Sequence, residues 1–182
     1  KKHKKGILKS TKRVKIVEFF GELCTKYRLR KKTLFLATHY YDQYSQRKSM
    51  TVLSSEKQAV VAQACLFIAM KFEEIYPPQL KTWCSSIEEV VKAEALILKD
   101  LNFRLSYTSA QHYLELYLSK HPVENSQKQL YQCILELFLV TGRIYEDHPL
   151  RIVQNVLDSF RPTLFLESHL VEVDRSIKQL IL

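Results

Sequence analysis

The most restrictive feature of this sequence is the run AVVAQACLFIAMKF at residues 59–72, which is apolar on nearly every side when it is drawn as a helix. A helix on a protein surface keeps a polar face, so a helix that is apolar all round must be covered by neighbours. Ser54 or Ser55 is its predicted cap, and Pro77 and Pro78 end it because proline has no amide proton to donate. We therefore predict a central helix with other helices packed around it.

The segments on either side of this run show the spacing of amphipathic helices. Helices are predicted over 13–28, over 33–46, from Gln79 for a short distance, and over 85–103. Thr33 is the predicted cap of the second helix, and Ser86 and Glu89 form an S-x-x-E capping box before the fifth. The buried stripe of that fifth helix is predicted to hold Val90, Ala93, Leu96, Ile97 and Leu101. Together these segments predict a five-helix bundle around the central apolar helix.

The rest of the chain repeats the helical character at shorter length. Helices are predicted over 109–121, over 124–145 with Gly142 near its end, and over 149–160, where Pro149 lies in the first turn; Pro162 stops the last of these, and one or two weaker helices follow. Strands and tight turns usually need more than the three glycines and five prolines present here. We predict an all-α fold of two helical lobes, 12–104 and 105–182, after a basic segment at 1–11.

The charge of the chain is uneven. The formal net charge is +9, and lysine and arginine crowd the first fifteen residues and the stretch RLRKK at 28–32. Such a tail suggests an acidic partner, a nucleic acid or a nuclear-import receptor, and a solvated end of the chain is equally compatible with it. The basic residues do not follow one recognition helix, and no basic and aromatic residues alternate as on a single-strand platform, so we do not expect nucleic-acid binding.

Cysteine spacing and hydropathy indicate the compartment. The four cysteines stand far apart with no C-x-x-C pair, which is typical of reduced thiols in an intracellular protein. No apolar run approaches the roughly 20 residues of a membrane span, and the N-terminus is too basic for a secretory signal. We expect a soluble protein of the nucleus or cytoplasm.

Residue patterns of enzymes are missing from the sequence. It has no G-x-x-x-x-G-K, G-x-G-x-x-G, H-E-x-x-H or G-x-S-x-G motif, and its histidines are isolated. Glu73 and Glu74 are adjacent, so on a helix they diverge by about 100° and cannot flank one substrate. We expect no catalytic residues, no metal, no cofactor and no small-molecule substrate.

Residues 71–78, KFEEIYPP, lie at the end of the apolar run and precede the helix AEALILKDLNF. This arrangement resembles the cyclin box of the A- and B-type mitotic cyclins. KRVKIVEFF resembles the first-helix motif of that family, YRLRKKTLFLATHYYDQY its second helix, and SYTSAQHYLELYL the entry to its second box. The resemblance runs from about Lys12 to Leu118, and residues 105–182 resemble a shortened second lobe because the family's P-S-x-I-A-A-A segment is not recognisable.

The resemblance implies a regulatory subunit that binds and activates a cyclin-dependent protein kinase and controls the cell cycle at G1/S or G2/M. In the family a lysine and a glutamate pair with each other and hydrogen-bond the kinase backbone beside its αC helix, and the matching positions here are Lys71 and Glu94. Charge-assisted hydrogen bonds of about 1.5 to 3 kcal/mol each suit such an anchor. The apolar contacts around the pair are expected from Phe72, Ile75, Leu98, Phe103 and Leu105, and Glu74 is expected to contact a basic residue of the kinase.

Two further sets of positions follow from the same resemblance. Arg13 and Asp42 match a structural ion pair that holds the first two helices together. Many cell-cycle cyclins recruit substrates through an apolar groove built on M-R-A-I-L and a tryptophan; here Lys12 and Lys15 replace apolar residues and Phe19 replaces the tryptophan. A remnant of the groove is expected at Ile16, Phe19 and Glu22, with weak or no binding of basic R-x-L peptides.

Two alternatives stay open at this point. A transcriptional cyclin would activate a kinase that phosphorylates RNA polymerase; KFEEIYPP favours the cell-cycle branch instead, but the lysine-altered groove removes some of that preference. A cyclin-fold transcription initiation factor would instead bind DNA through basic helical lobes, with an affinity that falls steeply with salt. Lys71 and Glu94 favour a kinase partner, whereas the net charge alone favours DNA.

Overall fold

Seven α-helices and two single turns of 3-10 helix make up residues 11–48, 54–84 and 86–159, the part of the chain that the computed structural model describes. The α-helices are α1 (Thr11–Lys26), α2 (Lys31–Lys48), α3 (Ser55–Glu73), α4 (Ile87–Asp100), α5 (Ala110–Lys120), α6 (Asn125–Thr141) and α7 (Pro149–Asp158); the 3-10 turns are Leu80–Thr82 and Arg143–Tyr145. No strand occurs within these ranges. The predicted all-α fold is confirmed.

Helix α3 occupies the centre of the first bundle, as its composition predicts. It packs against α1, α2 and α4, and its small and aliphatic residues are buried around most of its circumference. The fully or almost fully buried set is Ala62, Ala64, Cys65, Leu66, Ile68, Ala69 and Met70. Ser54 caps the helix by accepting a hydrogen bond from the amide of Lys57 at 3.4 Å.

Helix α4 runs parallel to α3. The Cys84 thiol, just before α4, lies 3.4 Å from the Gln63 amide oxygen, and Glu94 in mid-helix meets Lys71 at the end of α3. The start of α4 therefore lies beside the middle of α3, and the middle of α4 lies beside the last turns of α3. Helix α4 continues beyond this point in the same direction, so both helices end on the same side of the bundle.

Two details of α4 differ from the sequence prediction. Leu96 was assigned to the buried stripe, but 61% of it is exposed, whereas Val90 and Ile97 are buried. A step of 600° from Val90 to Leu96 turns Leu96 well away from the core face, and its apolar character alone misplaced it. Ser86 does occupy the N-cap, yet its side chain makes no capping hydrogen bond, so the predicted capping box is wrong.

The prediction for the start of α2 was also wrong. The helix begins at Lys31, so Thr33 lies inside its first turn and is fully buried. Its capping acceptor comes from a distant part of the chain, the carboxylate of Glu74. Pattern rules search for a cap next to the helix, and this one lies 41 residues away.

The second half of the described chain is formed by α5, α6 and α7. Gly142 ends α6 with a positive φ of 77°, a conformation that glycine adopts without a Cβ penalty. Pro149 opens α7 at its first turn, as predicted. Pro162 and the weaker helices predicted after it lie outside the described residues, as do residues 1–10 of the basic segment.

Contacts join the two halves of the chain. Helix α1 packs against α6, and α2 packs against α5. Two ion pairs extend from the start of α2: Lys31 Nζ lies 2.6 Å from Glu136 and Lys32 Nζ lies 2.8 Å from Glu115. The division into lobes at residue 104 stays a prediction.

Two chemical features of the described residues complete the fold. Cys24, Cys65, Cys84 and Cys133 are free thiols. None of the helices in residues 11–48, 54–84 and 86–159 has the length and hydropathy needed to cross a membrane.

Candidate protein-binding surface

An ion pair joins the end of α3 to the middle of α4. Lys71 Nζ donates to Glu94 Oε1, and the ammonium also lies over the Phe67 ring at 4.3 Å from its centroid. Glu94 is almost completely buried, whereas 45% of the Lys71 side chain is exposed. The fold thus buries the Glu94 side of the pair and leaves about half of the Lys71 side chain open to solvent.

This arrangement is unusual for a contact that only stabilises the fold. Burying a carboxylate is costly, and an ion pair replaces the lost hydration only when its geometry and its additional hydrogen bonds are good. Lysine has three donors, and Glu94 accounts for one of them. A partner that covered this end would take up the remaining donors in surroundings where such bonds are strong.

Large apolar side chains that are exposed follow each member of the pair along the chain. Phe72, Ile75 and Phe103 are 50%, 72% and 70% exposed. Leu98 and Leu105 are half-buried and pack against the core at their inner faces. These five predicted residues thus lie in the last turns of α3 and α4 or in the segments that follow them, and large apolar side chains that stay exposed are typical of interaction sites.

The backbone after α4 holds Phe103 outward. Asn102 and Phe103 both have positive φ, 51° and 55°, which is costly for residues other than glycine. The Phe103 amide donates to the Leu98 carbonyl at 3.0 Å, and the Tyr40 hydroxyl donates to the Leu105 carbonyl at 2.7 Å. A bulky side chain held in a strained conformation and exposed to solvent indicates a function outside the fold.

Sequence reasoning missed three exposed apolar residues on α4 and in the segment after α3. Tyr76 follows Ile75 and is 91% exposed, and Ile87 and Val91 are half-exposed on α4. Steps of four and seven residues place Ile87, Val91 and Leu98 on one helix face. This second apolar stripe on α4 was the signal that would have revealed them.

Glu74 is engaged within the fold. Its Oε1 accepts hydrogen bonds from the Arg30 amide at 2.8 Å and from the Thr33 hydroxyl. The carboxylate therefore caps the N-terminus of α2, where negative charge is stabilising. Its predicted contact with a basic residue of a partner stays a prediction.

Arg13 and Asp42 meet in the interior. Arg13 Nε and Nη2 donate to the two carboxylate oxygens of Asp42 at 2.8 and 2.9 Å, and Nη1 donates to the carbonyls of Leu139 and Val140 at 3.0 and 2.8 Å. Burial raises the pKa of the Asp42 carboxyl, while the bonds from Arg13 act in the opposite direction. The guanidinium connects α1 to α2 and also to the end of α6.

A cleft of about 270 Å³ lies between α1 and α3. Ile16 and Phe19 line it, as expected for the remnant groove, but Glu22 does not: it is exposed one helical turn further along α1. The other lining residues are Lys12, Lys15, Ser55, Gln58, Ala59, Ala62 and Gln63.

No group of three His, Cys, Asp or Glu side chains within the described ranges is placed to hold a metal ion. His39 lies on α2, where its ring stacks on Tyr107 at 3.6 Å between centroids, and His112 lies on α5.

Comparison with known proteins gives this surface a family context. Residues 1–106, which include α1 to α4 and both members of the Lys71–Glu94 pair, match the family described as "Cyclin, N-terminal domain". The chain belongs to the cyclin family. The resemblance read from KFEEIYPP is confirmed.

Several cyclins are similar to this one over most of its length. Cyclin-A2 of Xenopus laevis is 35% identical over 131 residues, which are 69% of this chain and 31% of the relative. The G2/mitotic-specific cyclin-A of Patella vulgata is 32% identical over 136 residues, or 71% and 31%. The G2/mitotic-specific cyclin CLB2 of Candida albicans is 30% identical over 143 residues, or 75% and 28%. This cyclin chain spans about a third of the length of the curated relatives it matches.

Proposed function

We propose that this cyclin is a regulatory subunit that binds and activates a cyclin-dependent serine/threonine kinase in the cell cycle, and that it is not itself an enzyme. The observation that carries the proposal is the half-covered Lys71–Glu94 pair within an exposed apolar surface. The similarity to cyclins named as G2/mitotic-specific supports a role in division. A nuclear or cytoplasmic location, and an import receptor at the basic N-terminus, belong to the same proposal.

The chemistry of the surface suggests how binding would activate a kinase. Lys71 supplies donors and Glu94 supplies acceptors, so together they bind both kinds of backbone group in a partner segment. Phe72, Ile75 and Phe103 pack against an apolar helix face beside that segment. In a kinase whose αC helix must move inward before its Lys–Glu pair forms, such packing stabilises the active arrangement.

The energetic contribution of the pair depends on its being covered. In solvent, an exposed lysine pair is worth about 0 to 1 kcal/mol. Under a partner, each charge-assisted hydrogen bond contributes about 1.5 to 3 kcal/mol, and truncating one side leaves the other charge buried without a partner. Removal of either residue should therefore weaken binding much more than folding.

Direct DNA binding is the competing function, since the net charge of +9 favours it. The large exposed side chains at the described surface are apolar and aromatic rather than a row of arginines. DNA affinity would fall steeply as salt is raised, whereas an apolar kinase interface would be much less sensitive. A transcriptional cyclin would bind its kinase through the same pair. Only the identity of the kinase and of its substrate would distinguish that alternative from a cell-cycle cyclin.

The test uses purified cyclin-dependent kinases of the source organism, a histone peptide as substrate, and the chain with Lys71→Ala and Glu94→Ala together. The matched control replaces Lys92 and Glu88 by alanine, an exposed Lys–Glu pair on α4 with Nζ and Oε1 2.7 Å apart. We expect the native chain and the control to activate one kinase, and the Lys71/Glu94 variant to lose at least tenfold in affinity.

Two outcomes would overturn the proposal. Equal activation by the native chain and the Lys71/Glu94 variant would show that the kinase binds at another surface of the chain. No kinase activation by the native chain, together with salt-sensitive binding to a DNA duplex, would favour the transcription factor.

A further inference from the structure

The cleft between α1 and α3 combines an apolar floor with a basic edge. Ile16 and Phe19 are half-buried and pack against the core, and Ala62 beneath them is buried. Lys12 and Lys15 line the same cleft and are exposed. Helical steps of three and four residues place Lys12, Lys15 and Phe19 on one face of α1, so the charges stand next to the apolar floor.

The carboxylates nearest in sequence do not line the cleft. Glu18 and Glu22 on α1 and Glu56 on α3 are exposed, and none of the three belongs to the lining. Glu22 lies two helical turns beyond Lys15, so its charge is at one end of the cleft. Among the described residues, Lys15 forms no ion pair. The potential within the cleft is therefore positive where Lys15 approaches it.

The size of the cleft limits what it can hold. Sites for drug-sized molecules measure about 300 to 1,000 Å³, and this cleft is at the lower edge, with a volume of about 270 Å³. One or two side chains of an extended peptide fit such a space better than a free metabolite does. An aliphatic anchor would be buried against Ile16, Phe19 and Ala62.

We propose that this cleft binds an acidic peptide segment that carries an aliphatic anchor, with the peptide carboxylates next to Lys15. A basic peptide would bring its positive charges close to the lysine ammonium groups as its anchor entered the cleft. This repulsion grows stronger as water is excluded. The charge preference is thus the reverse of that of a groove that accepts R-x-L peptides. The inference rests on the proposed function, since it gives the kinase complex a class of acidic substrate or regulator.

The binding test needs no kinase, so its failure is separable from failure of the proposed function. Two fluorescent peptides with the same leucine anchor are compared with the full chain by fluorescence polarisation, one with two glutamates before the anchor and one with two arginines. A third peptide keeps the glutamates and replaces the leucine by alanine. We expect the acidic peptide with leucine to bind at least about tenfold more tightly than either other peptide, and less tightly as salt is raised.

Variants of the chain locate the contact. Lys15→Glu should weaken binding of the acidic peptide at least about tenfold and strengthen binding of the basic one. Lys26→Glu makes the same charge change at an exposed position of α1 outside the cleft, and it should leave the preference unchanged. Phe19→Ala should weaken every leucine peptide, with thermal unfolding measured to show that the variant is folded.

Three results would overturn the inference. These are no binding of the acidic peptide, equal or tighter binding of the basic peptide, and equal effects of Lys15→Glu and Lys26→Glu. The last would mean that net charge, and not the cleft, attracts the peptide.

Discussion

Arg13 binds Asp42 through both carboxylate oxygens and also donates to the backbone carbonyls of Leu139 and Val140, so one buried guanidinium joins three helices. Asp42 lies 29 residues from Arg13, and the two carbonyls lie 126 and 127 residues away. Arginine suits this position because its planar group donates in several fixed directions at once. The contact therefore connects the first bundle to the second half of the chain.

Arg13→Ala should lower the free energy of unfolding by about 3 to 5 kcal/mol, because it leaves the Asp42 carboxylate buried without its partner. Urea unfolding followed by circular dichroism measures the change. The control is Arg47→Ala, at an exposed arginine that pairs with Asp100, where a loss of about 0 to 1 kcal/mol is expected. Similar losses in the two variants would contradict the role given to Arg13.

Glu74→Ala should destabilise the protein by about 0.5 to 2 kcal/mol, because it removes the carboxylate that caps α2. Glu73→Ala is the matched control, since within the described residues its neighbour Glu73 accepts no such hydrogen bond. Thermal unfolding compares the two. If only kinase affinity changed and stability did not, Glu74 would act at the partner surface and the cap would be dispensable.

His39 should make stability depend on pH below about 6.5. Burial lowers the pKa of His39 to about 4, and its ring is stacked on Tyr107 at 3.6 Å between centroids. The unfolded chain, with a His pKa near 6.5, binds the proton more readily, so the stability contributed by neutral His39 is complete above pH 6.5 and is lost as pH falls towards 4.

Replacement of this histidine by an aromatic residue that does not titrate isolates the effect. His39→Phe keeps a flat ring opposite Tyr107, so the fall in unfolding free energy from pH 7 to pH 5 should be smaller by roughly 1 to 2 kcal/mol in the variant. Urea unfolding at both pH values measures it. Parallel losses in the native chain and the variant would show that other groups dominate.

Gly21→Ala should stabilise the protein by about 0.4 to 1 kcal/mol. Gly21 lies inside α1, and a Cβ added there would meet no atom within 4 Å. Alanine loses less backbone entropy than glycine on entering a helix. A melting temperature that fell instead would mean that the added methyl group disturbs α1.

The elements that were predictable from sequence are those whose determinants are local. The apolar circumference of α3 placed that helix at the centre, and Pro149 marked the start of α7. Leu96 was misplaced because apolar character alone does not distinguish a core side chain from an exposed one. The cap of α2 was missed because Glu74 lies far from Thr33 in sequence.

The candidate site shows the same limit. Lys71 and Glu94 were identified from the family motif, and the structure brings them together. The carbonyl partners of Arg13 were not foreseeable, since backbone groups leave no signature in a side-chain pattern. The helical spacing of Ile87 and Val91 could have revealed them, but only the buried stripe of α4 was predicted, and not the exposed apolar stripe beside it.

The continuous course of α3 fixes the distance between the cleft and the ion pair. From Ala62, under the cleft, to Lys71, at the ion pair, there are nine helical residues, which correspond to about 14 Å along the axis. The helix is enclosed by its neighbours, so this distance is fixed. A peptide bound in the proposed cleft site would be held at a high effective concentration near a protein bound at the ion pair, so weak binding of the peptide would suffice.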